Sequence, residues 1–178
     1  MSNNRLQPAW VKCRVVSMGH VPATTERKRG RSIRQRRTVI EQQPRTWKFE
    51  LERTLLALQH NEALEFSNMT PSQLPAQGGV YLICARLDGV EIPYYVGRTT
   101  NLRRRLYANH LMGPFANARL KKQLVDDKSC SSVHDAKQFI GIFCNARWVQ
   151  ESDWRRRGAF EAYATAVLFP KYGIDKEH

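Results

Sequence analysis

The sequence lacks the signatures of several common classes of protein. It contains four cysteines, no two of which form a CxxC pair, so a zinc site is not expected and the thiols are predicted to be reduced core residues. No apolar run approaches the roughly 18 residues that a membrane span needs, and the N-terminus has no signal-peptide h-region. Motifs of the types GxxxxGKS/T, GxGxxG, GxSxG and HExxH are absent, which argues against a nucleotide cradle, a serine hydrolase and a zinc protease. A cytoplasmic protein without membrane contact is expected.

Acidic residues are scarce relative to basic ones. The 178 residues include 16 Asp and Glu against 29 Lys and Arg, a formal net charge of +13. Such an excess favours a polyanionic partner, because each neutralised phosphate releases condensed counterions. Residues 1–45 hold 11 of the basic and only 2 of the acidic residues. They predict a basic, partly flexible arm, which either orders on DNA or only keeps the chain soluble.

The remainder divides into a helical lead-in and linker, residues 46–75, and a domain, residues 76–178. Apolar periodicity predicts a β-β-α-α-β-α order within the domain. The strands are predicted at 79–87, 92–97 and 139–149. The helices are predicted at 46–64, from Thr100 or Asn101 to Tyr107 or His110, at 115–125 and at 154–169. The last predicted strand depends on alternation, with one face made of Ile140, Ile142, Cys144, Ala146 and Trp148.

Two short strand motifs carry the chemistry. Gly79-Val80-Tyr81 precedes a predicted hairpin at Asp88-Gly89, and Tyr95-Val96-Gly97 lies on the returning strand. Two phenols followed by a cationic helix suit attack on a phosphodiester. The candidates are Tyr81, Tyr95, Arg98, Arg103, Arg104, Arg105 and His110, with one acid that the composition does not select.

These motifs resemble those of the GIY-YIG nucleases. The two tripeptides, the run 101–106 and His110 follow the order of that family, as does a late helical glutamate, Glu161, with Pro170 after it. The resemblance covers roughly residues 76–173. It implies an α+β fold, with a small antiparallel or mixed three-stranded sheet flanked by helices. It also implies a divalent-metal-dependent endonuclease that cleaves DNA with a single Mg²⁺ or Mn²⁺.

The resemblance implies a role for each matching residue. Tyr81 corresponds to the general base, Tyr95 to the tyrosine that helps to hold the water or the phosphate, and Arg105 to the arginine on the scissile phosphate. Glu161 corresponds to the metal ligand. A phenol is a poor base near its ordinary pKa of about 10 unless a cation lowers it, and one carboxylate is enough for Mg²⁺ when phosphate and water complete the shell.

Helical geometry also favours Glu161 as a residue of the site. At 100° per residue it lies at the edge of an apolar arc, where a carboxylate can reach a cleft. The predicted arc consists of Phe160, Ala164, Val167 and Leu168.

Two positions depart from the family pattern. The family histidine commonly lies four residues after the helix arginine, but Asn109 stands there and His110 follows. In a straight α-helix His110 would lie about 140° from Arg105, so it either assists Tyr81 or caps or packs the helix. A family asparagine after the proline is replaced by Gly173. Adjacent Tyr94 is the alternative to Tyr95 as the phenol that faces the cleft, since neighbouring strand residues point to opposite faces.

Further basic residues are expected to contact the DNA backbone rather than to react. They are Arg98, Arg103, Arg104, Arg119, Lys121 and Lys122. The alternative to an enzyme is a nucleic-acid-binding module that retains the nuclease fold without catalysis. One active site cuts one strand, so double-strand cleavage would need a homodimer or two sequential nicks. Restriction, mobile-element, phage and repair roles stay open.

Overall fold

The computed structural model describes residues 39–174, without the side chains of residues 39–45 and of Phe115. The predicted arm therefore lies mostly outside the described residues. The helices are α1 (Val39–His60), a π-helix (Arg104–Met112), α2 (Arg119–Asp126), α3 (Val133–Phe143) and α4 (Trp154–Leu168). The strands are β1 (Leu64–Glu65), β2 (Gly79–Leu87), β3 (Val90–Thr99) and β4 (Cys144–Gln150). Short 3₁₀ turns cover Phe66–Asn68, Pro71–Gln73 and Phe115–Asn117.

The sheet is antiparallel and has the order β1-β4-β2-β3. The three strands of the predicted α+β domain are present, and the two-residue β1 adds a fourth strand at the edge. The predicted hairpin is confirmed: Asp88 and Gly89 have φ of 51° and 78°, the pair of positive values that a tight two-residue turn requires. β2 is hydrogen-bonded on both sides, which places Tyr81 in the middle of the sheet.

Each face of the sheet has its own hydrophobic core. One core includes Tyr81, Tyr95 and Ile83 and is covered by the π-helix, α2 and α3 through Leu106, Leu120 and Ile140 among others. The opposite core is covered by α1 and α4. Its buried members are Leu55, Leu58, Val80, Leu82, Cys84, Val96, Phe160 and Ala164. The β2 side chains alternate between the two cores, as the pleat of a strand dictates.

The strand predicted at 139–149 is half wrong. Residues up to Phe143 belong to α3, and only the second half forms β4. Ser132 begins the helix, because its hydroxyl oxygen accepts the N–H of Asp135 at 3.1 Å. Ile140 is buried on the helix together with Ala136, four residues earlier, whereas Ile142 is exposed. Over these few residues the strand and helix patterns are hard to distinguish, because both place Ile140 on the buried face.

The buried faces of α1 and α4 are narrow. In α1, which begins at Val39 rather than at residue 46, Leu55 and Leu58 are buried but Phe49 and Leu56 are exposed. The predicted apolar arc of α4 is too wide, because Phe160 and Ala164 are buried but Val167 is 53% exposed. The predicted helix at 115–125 is instead a 3₁₀ turn followed by α2. No helix among residues 39–174 is long and apolar enough to cross a membrane.

Candidate active site

A β-bulge decides which tyrosine of β3 meets Tyr81. The register shifts between Ile83 and Cys84: Ile83 pairs with Tyr95, and Cys84 pairs with Pro93. Tyr94 is therefore the extra residue, and a bulge turns both tyrosines toward one face of the sheet. Tyr95 stacks beside Tyr81 with ring centroids 6.2 Å apart. Tyr94 instead packs on Phe139, so the choice of Tyr95 over Tyr94 agrees with the geometry.

The hydroxyl of Tyr81 is held by two side chains of the π-helix. Arg105 Nε donates to the phenol oxygen at 2.9 Å, and His110 Nε2 lies 3.0 Å from the same oxygen. Arg105 also donates from Nη1 to the backbone oxygen of Asn117 at 2.9 Å, which fixes the plane of its guanidinium. Tyr81 and His110 are both fully buried. Two phenols, a guanidinium and an imidazole thus meet in one cluster, which brings together four of the candidate residues.

The π-helix explains how His110, one position later than the family histidine, still reaches Tyr81. The helix starts with an ordinary turn, where the side-chain oxygen of Asn101 accepts the Arg104 N–H at 2.9 Å, and it continues in π geometry from Arg104 to Met112. A π-helix has an i→i+5 hydrogen-bond pattern, so residues five apart come close to one face. Arg105 and His110 are five apart, and both reach Tyr81. The 140° separation expected for a straight α-helix therefore does not occur.

Burial determines the protonation of this cluster. Burial raises the pKa of Tyr81, and nearby Arg105 opposes that rise. Burial, together with the charges of Arg105 and Lys121, lowers the pKa of His110 well below its usual range. The phenol accepts from Arg105, and with the neutral imidazole tautomer that is protonated at Nδ1 it donates its own hydrogen to His110 Nε2. That Nδ1 atom is buried and has no hydrogen-bond partner in the described part of the chain.

We expect His110 to make the fold acid-sensitive. The folded protein keeps His110 neutral, whereas the unfolded chain binds a proton near pH 6.5. Stability contributed by the wild-type site is therefore lost as pH falls below about 6.5, by about 1.4 kcal/mol per pH unit until the folded pKa is reached. Urea unfolding at pH 7.5 and 5.5 measures this loss of stability. His110→Gln should lose less stability on acidification than the wild type does.

His134 supplies the matched control for this prediction, because it is an exposed histidine on α3. His134→Gln should show the same pH dependence as the wild type. If His110→Gln also followed the wild-type pH dependence, the buried neutral state of His110 would be contradicted.

Gly97 makes room for the two phenols. A Cβ at this position would lie 2.5 Å from the Tyr81 hydroxyl oxygen and 2.7 Å from a ring carbon of Tyr95. Gly97 is also the strand partner of Tyr81. The glycine that ends the second tripeptide is therefore required by the close approach of the tyrosines to the β3 backbone.

Glu161 lies at a cavity next to this cluster. The cavity has a volume of about 650 Å³, and its lining includes Tyr95, Glu161, Arg119 and Phe169. The Glu161 carboxylate accepts the backbone N–H of Arg98 at 3.0 Å and pairs with Arg98 Nε at 3.2 Å. Arg98, predicted as a DNA contact, is thus bound to the predicted metal ligand. Its side chain is half exposed, and an ion pair of that kind contributes little, about 0–1 kcal/mol.

Lys121 does not have the predicted position of a DNA contact. It is fully buried, and Nζ donates to the backbone oxygens of Gly113 at 2.8 Å, Asn109 at 3.4 Å and Leu111 at 3.5 Å. These carbonyls lie at the end of the π-helix, where the helix itself supplies no donors. The sequence could not distinguish this lysine from its exposed neighbour, because the carbonyls that it binds belong to another element. Lys121 therefore stabilises the end of the helix that carries Arg105 and His110.

We expect Lys121→Met to lower the free energy of unfolding by about 2 kcal/mol or more, because it leaves carbonyls of the π-helix without their charged donor. Lys122→Met is the matched control, since Lys122 is exposed and pairs with Asp126 at 2.9 Å. It should cost less than about 1 kcal/mol. Urea denaturation of both variants measures the difference, and equal losses would contradict the structural role of Lys121.

The other predicted DNA contacts are distributed around this region. Arg103 is exposed but donates from Nε to the Leu74 backbone oxygen at 2.9 Å, which ties the linker to the domain. Arg104 is exposed at the start of the π-helix. Arg119 is exposed and lines the cavity with Glu161. Arg104, Arg119 and Lys122 are thus exposed, and their role as DNA contacts stays a prediction.

Gly173, which stands in place of the family asparagine, packs on Tyr95. Its φ is 96°, and a Cβ there would lie 3.2 Å from the Tyr95 ring. The preceding Tyr172 forms a parallel bridge with Tyr95. A positive φ and a ring at this distance favour glycine. The segment after Pro170 therefore supports Tyr95 through its backbone rather than through an amide side chain at position 173.

Among the comparisons with known proteins, only the one with solved structures finds a match. No family model matches the chain, and no curated protein matches it. The chain is similar to the GIY-YIG N-terminal endonuclease domain of UvrC from Thermotoga maritima, solved with its catalytic magnesium, at 18% identity and a TM-score of 0.33. The match covers 57% of this chain and 88% of that chain. A point mutant of the same domain matches at 17% identity with the same TM-score.

These structures carry the family name that the two tripeptides indicated. A similarity of this size carries no argument about the reaction. The geometry of the site is what indicates the function.

Proposed function

We propose that the protein is a divalent-metal-dependent endonuclease that hydrolyses DNA phosphodiester bonds. The observation that carries the proposal is the hydrogen-bonded cluster on β2: the Tyr81 hydroxyl lies 2.9 Å from Arg105 Nε and 3.0 Å from His110 Nε2. Tyr95 stacks beside Tyr81 and, with Glu161, lines the adjacent cavity. A proton acceptor, a phosphate-binding cation and a carboxylate are the groups that phosphodiester hydrolysis needs.

The cluster supports a proton path away from the attacking water. Tyr81 is the general base in this proposal: its own hydrogen moves to His110 Nε2 as it accepts the proton of water, and the negative charge of the bound phosphate offsets the burial that lowers the pKa of His110. Arg105 stabilises the phenol oxygen during this transfer, because its charge opposes the effect of burial on the pKa of Tyr81. Tyr95, the phenol that lines the cavity, orients the water or the phosphate. The remaining N–H groups of Arg105 suit a phosphate oxygen, since a guanidinium is planar and always charged.

The residues fit a hydrated, oxygen-liganded cation. No group of three or more His, Cys, Asp and Glu side chains converges among the described residues, which argues against a transition-metal cage there. Glu161 offers one carboxylate beside a cavity large enough for water and phosphate, and Mg²⁺ takes one or two carboxylates with water and phosphate as the other ligands. Mn²⁺ fits the same donors. Glu161 would hold the ion after Arg98 moves aside, and the bound ion would supply charge stabilisation at the leaving oxygen.

DNA is the proposed partner because both the net positive charge of the chain and the residues at the candidate site suit a polyanion. The chain carries +13, and exposed Arg104 and Arg119 lie near the candidate site. The alternative is a nucleic-acid-binding module without catalysis. One observation favours it: Arg98 already contacts both oxygens of the Glu161 carboxylate. In that alternative the ion pair is permanent, and nucleic acid binds without being cut.

The experiment that tests the proposal separates binding from cleavage. Wild-type protein is incubated with supercoiled plasmid, single-stranded DNA and RNA, each with Mg²⁺ or with EDTA, and binding is followed in parallel by a gel-shift assay. Cleavage of DNA that requires Mg²⁺ is the expected result. Binding without cleavage in every metal condition would establish the alternative, and cleavage of RNA alone would contradict DNA as the substrate.

A further inference from the structure

Phe169, directly after α4, has an unusual backbone and an unusual exposure. Its φ and ψ are 43° and 60°, the left-handed region, and its N–H donates to the Thr165 oxygen at 3.0 Å. Helices that end in this way usually carry glycine at that point, since a side chain there is strained. Phe169 is nevertheless 78% exposed, the highest value among the large hydrophobic side chains of the described residues.

The position of the Phe169 backbone is fixed by its neighbours. Pro170, which follows it, is buried, and Lys171 and Tyr172 donate their N–H groups to the backbone oxygens of Pro93 and Tyr94 at 3.0 and 2.9 Å. A proline disfavours helical backbone in the residue before it, so the surrounding bonds must hold Phe169 in place. The chain thus presents an aromatic ring to solvent from a constrained backbone. Strain of this kind persists where the surroundings enforce it, and it is common at ligand-binding positions.

The ring belongs to the cavity of the candidate active site. Phe169 lines the same 650 Å³ cavity as Tyr95 and Glu161, with Ile174 on the same wall. It follows Glu161 by eight residues, about two turns along α4. A phosphodiester placed at Glu161 would bring the bases of the flanking nucleotides to the rim of this cavity. An exposed aromatic ring at that rim has the chemistry to stack on a base.

We propose that Phe169 stacks on an unpaired nucleobase next to the scissile phosphate, so that the substrate is DNA that is single-stranded or locally unpaired at the cut. This inference rests on the proposed nuclease function, and it specifies the substrate class. A base inside an intact duplex is stacked on its neighbours, and extruding it costs a few kcal/mol. A strand that is already unpaired avoids that cost. Stacking is tolerant of base identity, because every base has a π-face.

The test measures DNA binding under conditions without cleavage. Full-length protein in EDTA is titrated against a fluorescently labelled single-stranded oligonucleotide, and the anisotropy gives Kd. Phe169→Ala should weaken binding about tenfold, and Phe169→Trp should retain it. Val167→Ala is the matched control, since Val167 is an exposed apolar residue of the same helix that does not line the cavity. It should change Kd less than about twofold, in keeping with a surface substitution away from the site.

Phe169→Gly separates loss of the ring from loss of the fold. Glycine adopts the left-handed backbone without strain, so this variant should unfold at the same or a higher urea concentration than the wild type. It should still lose affinity as Phe169→Ala does. Unchanged Kd in both variants would overturn the inference. A change in oligomeric state by light scattering, without a change in Kd, would also overturn it and would assign the ring to a contact between copies.

A second arm keeps the inference distinct from the nuclease proposal. Single abasic sites are moved along an oligonucleotide whose single-stranded segment adjoins a hairpin stem and is only long enough for one binding register, and the effect of Phe169→Ala is measured at each position. Stacking predicts one position at which removal of the base abolishes the difference between wild type and variant. That result without any Mg²⁺-dependent cleavage would leave the stacking inference standing and the nuclease proposal refuted. Cleavage by the wild type with no such position would refute stacking alone.

Discussion

Removing only the hydroxyl of Tyr81 is expected to slow DNA cleavage by about 10²–10⁴-fold, the usual contribution of a general base. Tyr81→Phe keeps the ring, which is fully buried in the core. It removes the oxygen that lies 2.9 Å from Arg105 Nε and 3.0 Å from His110 Nε2. Both the acceptor for the proton of water and its link to His110 are lost. The measurement is the single-turnover rate at saturating enzyme, with Mg²⁺ present.

Tyr94 provides the matched control for this substitution. It adjoins Tyr95 on β3 but packs against Phe139 and Tyr172, away from Arg105 and His110. Tyr94→Phe should leave the cleavage rate within about threefold of the wild type, as a change outside the reacting groups should. DNA binding in EDTA should be equal for both variants. A Tyr81→Phe protein that folds and cuts at more than a tenth of the wild-type rate would contradict the role of Tyr81.

The largest effect is expected from Glu161→Gln, with loss of Mg²⁺-dependent cleavage of about 10³-fold or more. A bound metal ion contributes several kcal/mol of transition-state stabilisation, and each 1.36 kcal/mol corresponds to about tenfold in rate. The amide is a weaker ligand and carries no charge. DNA binding in EDTA should be unchanged or tighter, because the substitution removes a negative charge and releases Arg98 from its ion pair. Gel-shift titrations alongside the single-turnover rate measure both effects.

Glu52→Gln is the matched control for the loss of a carboxylate. Glu52 is on α1, is partly exposed and pairs only with Lys48 at 3.7 Å in the described structure. This variant should cut DNA at the wild-type rate, because a surface substitution away from the site changes little. If Glu161→Gln cut DNA with the wild-type dependence on Mg²⁺ concentration, Glu161 would not be the metal ligand.

Local sequence patterns predicted the centre of the fold well. The Asp88-Gly89 turn, the two strands that it joins and the final helix all follow from short-range signals. The meeting of Tyr81 with Arg105 also followed from the motif order. Alternation alone could not decide between Tyr94 and Tyr95, because the bulge that turns both toward one face depends on the register in which β3 pairs with β2.

Features that depend on tertiary contacts were not predictable. The π-helix that brings His110 beside Arg105 has no sequence signal of its own. It is stabilised at its end by Lys121, whose carbonyl partners lie on another element. The same lysine appears in the sequence as part of a basic surface. The second half of α3 was predicted as a strand because Ile140 and Ile142 alternate, whereas the helix buries Ile140 together with Ala136 and exposes Ile142.

The most direct measurement of the central claim is the nicking of supercoiled plasmid by wild type and Glu161→Gln at equal DNA occupancy, with Mg²⁺ or with EDTA. We expect nicked circles only for wild type with Mg²⁺, and unchanged supercoiled DNA in the other three samples. Equal nicking by both proteins would show that the cavity at Glu161 is not the active site. Absence of nicking by the wild type, with DNA fully bound, would contradict the nuclease proposal and favour a binding module.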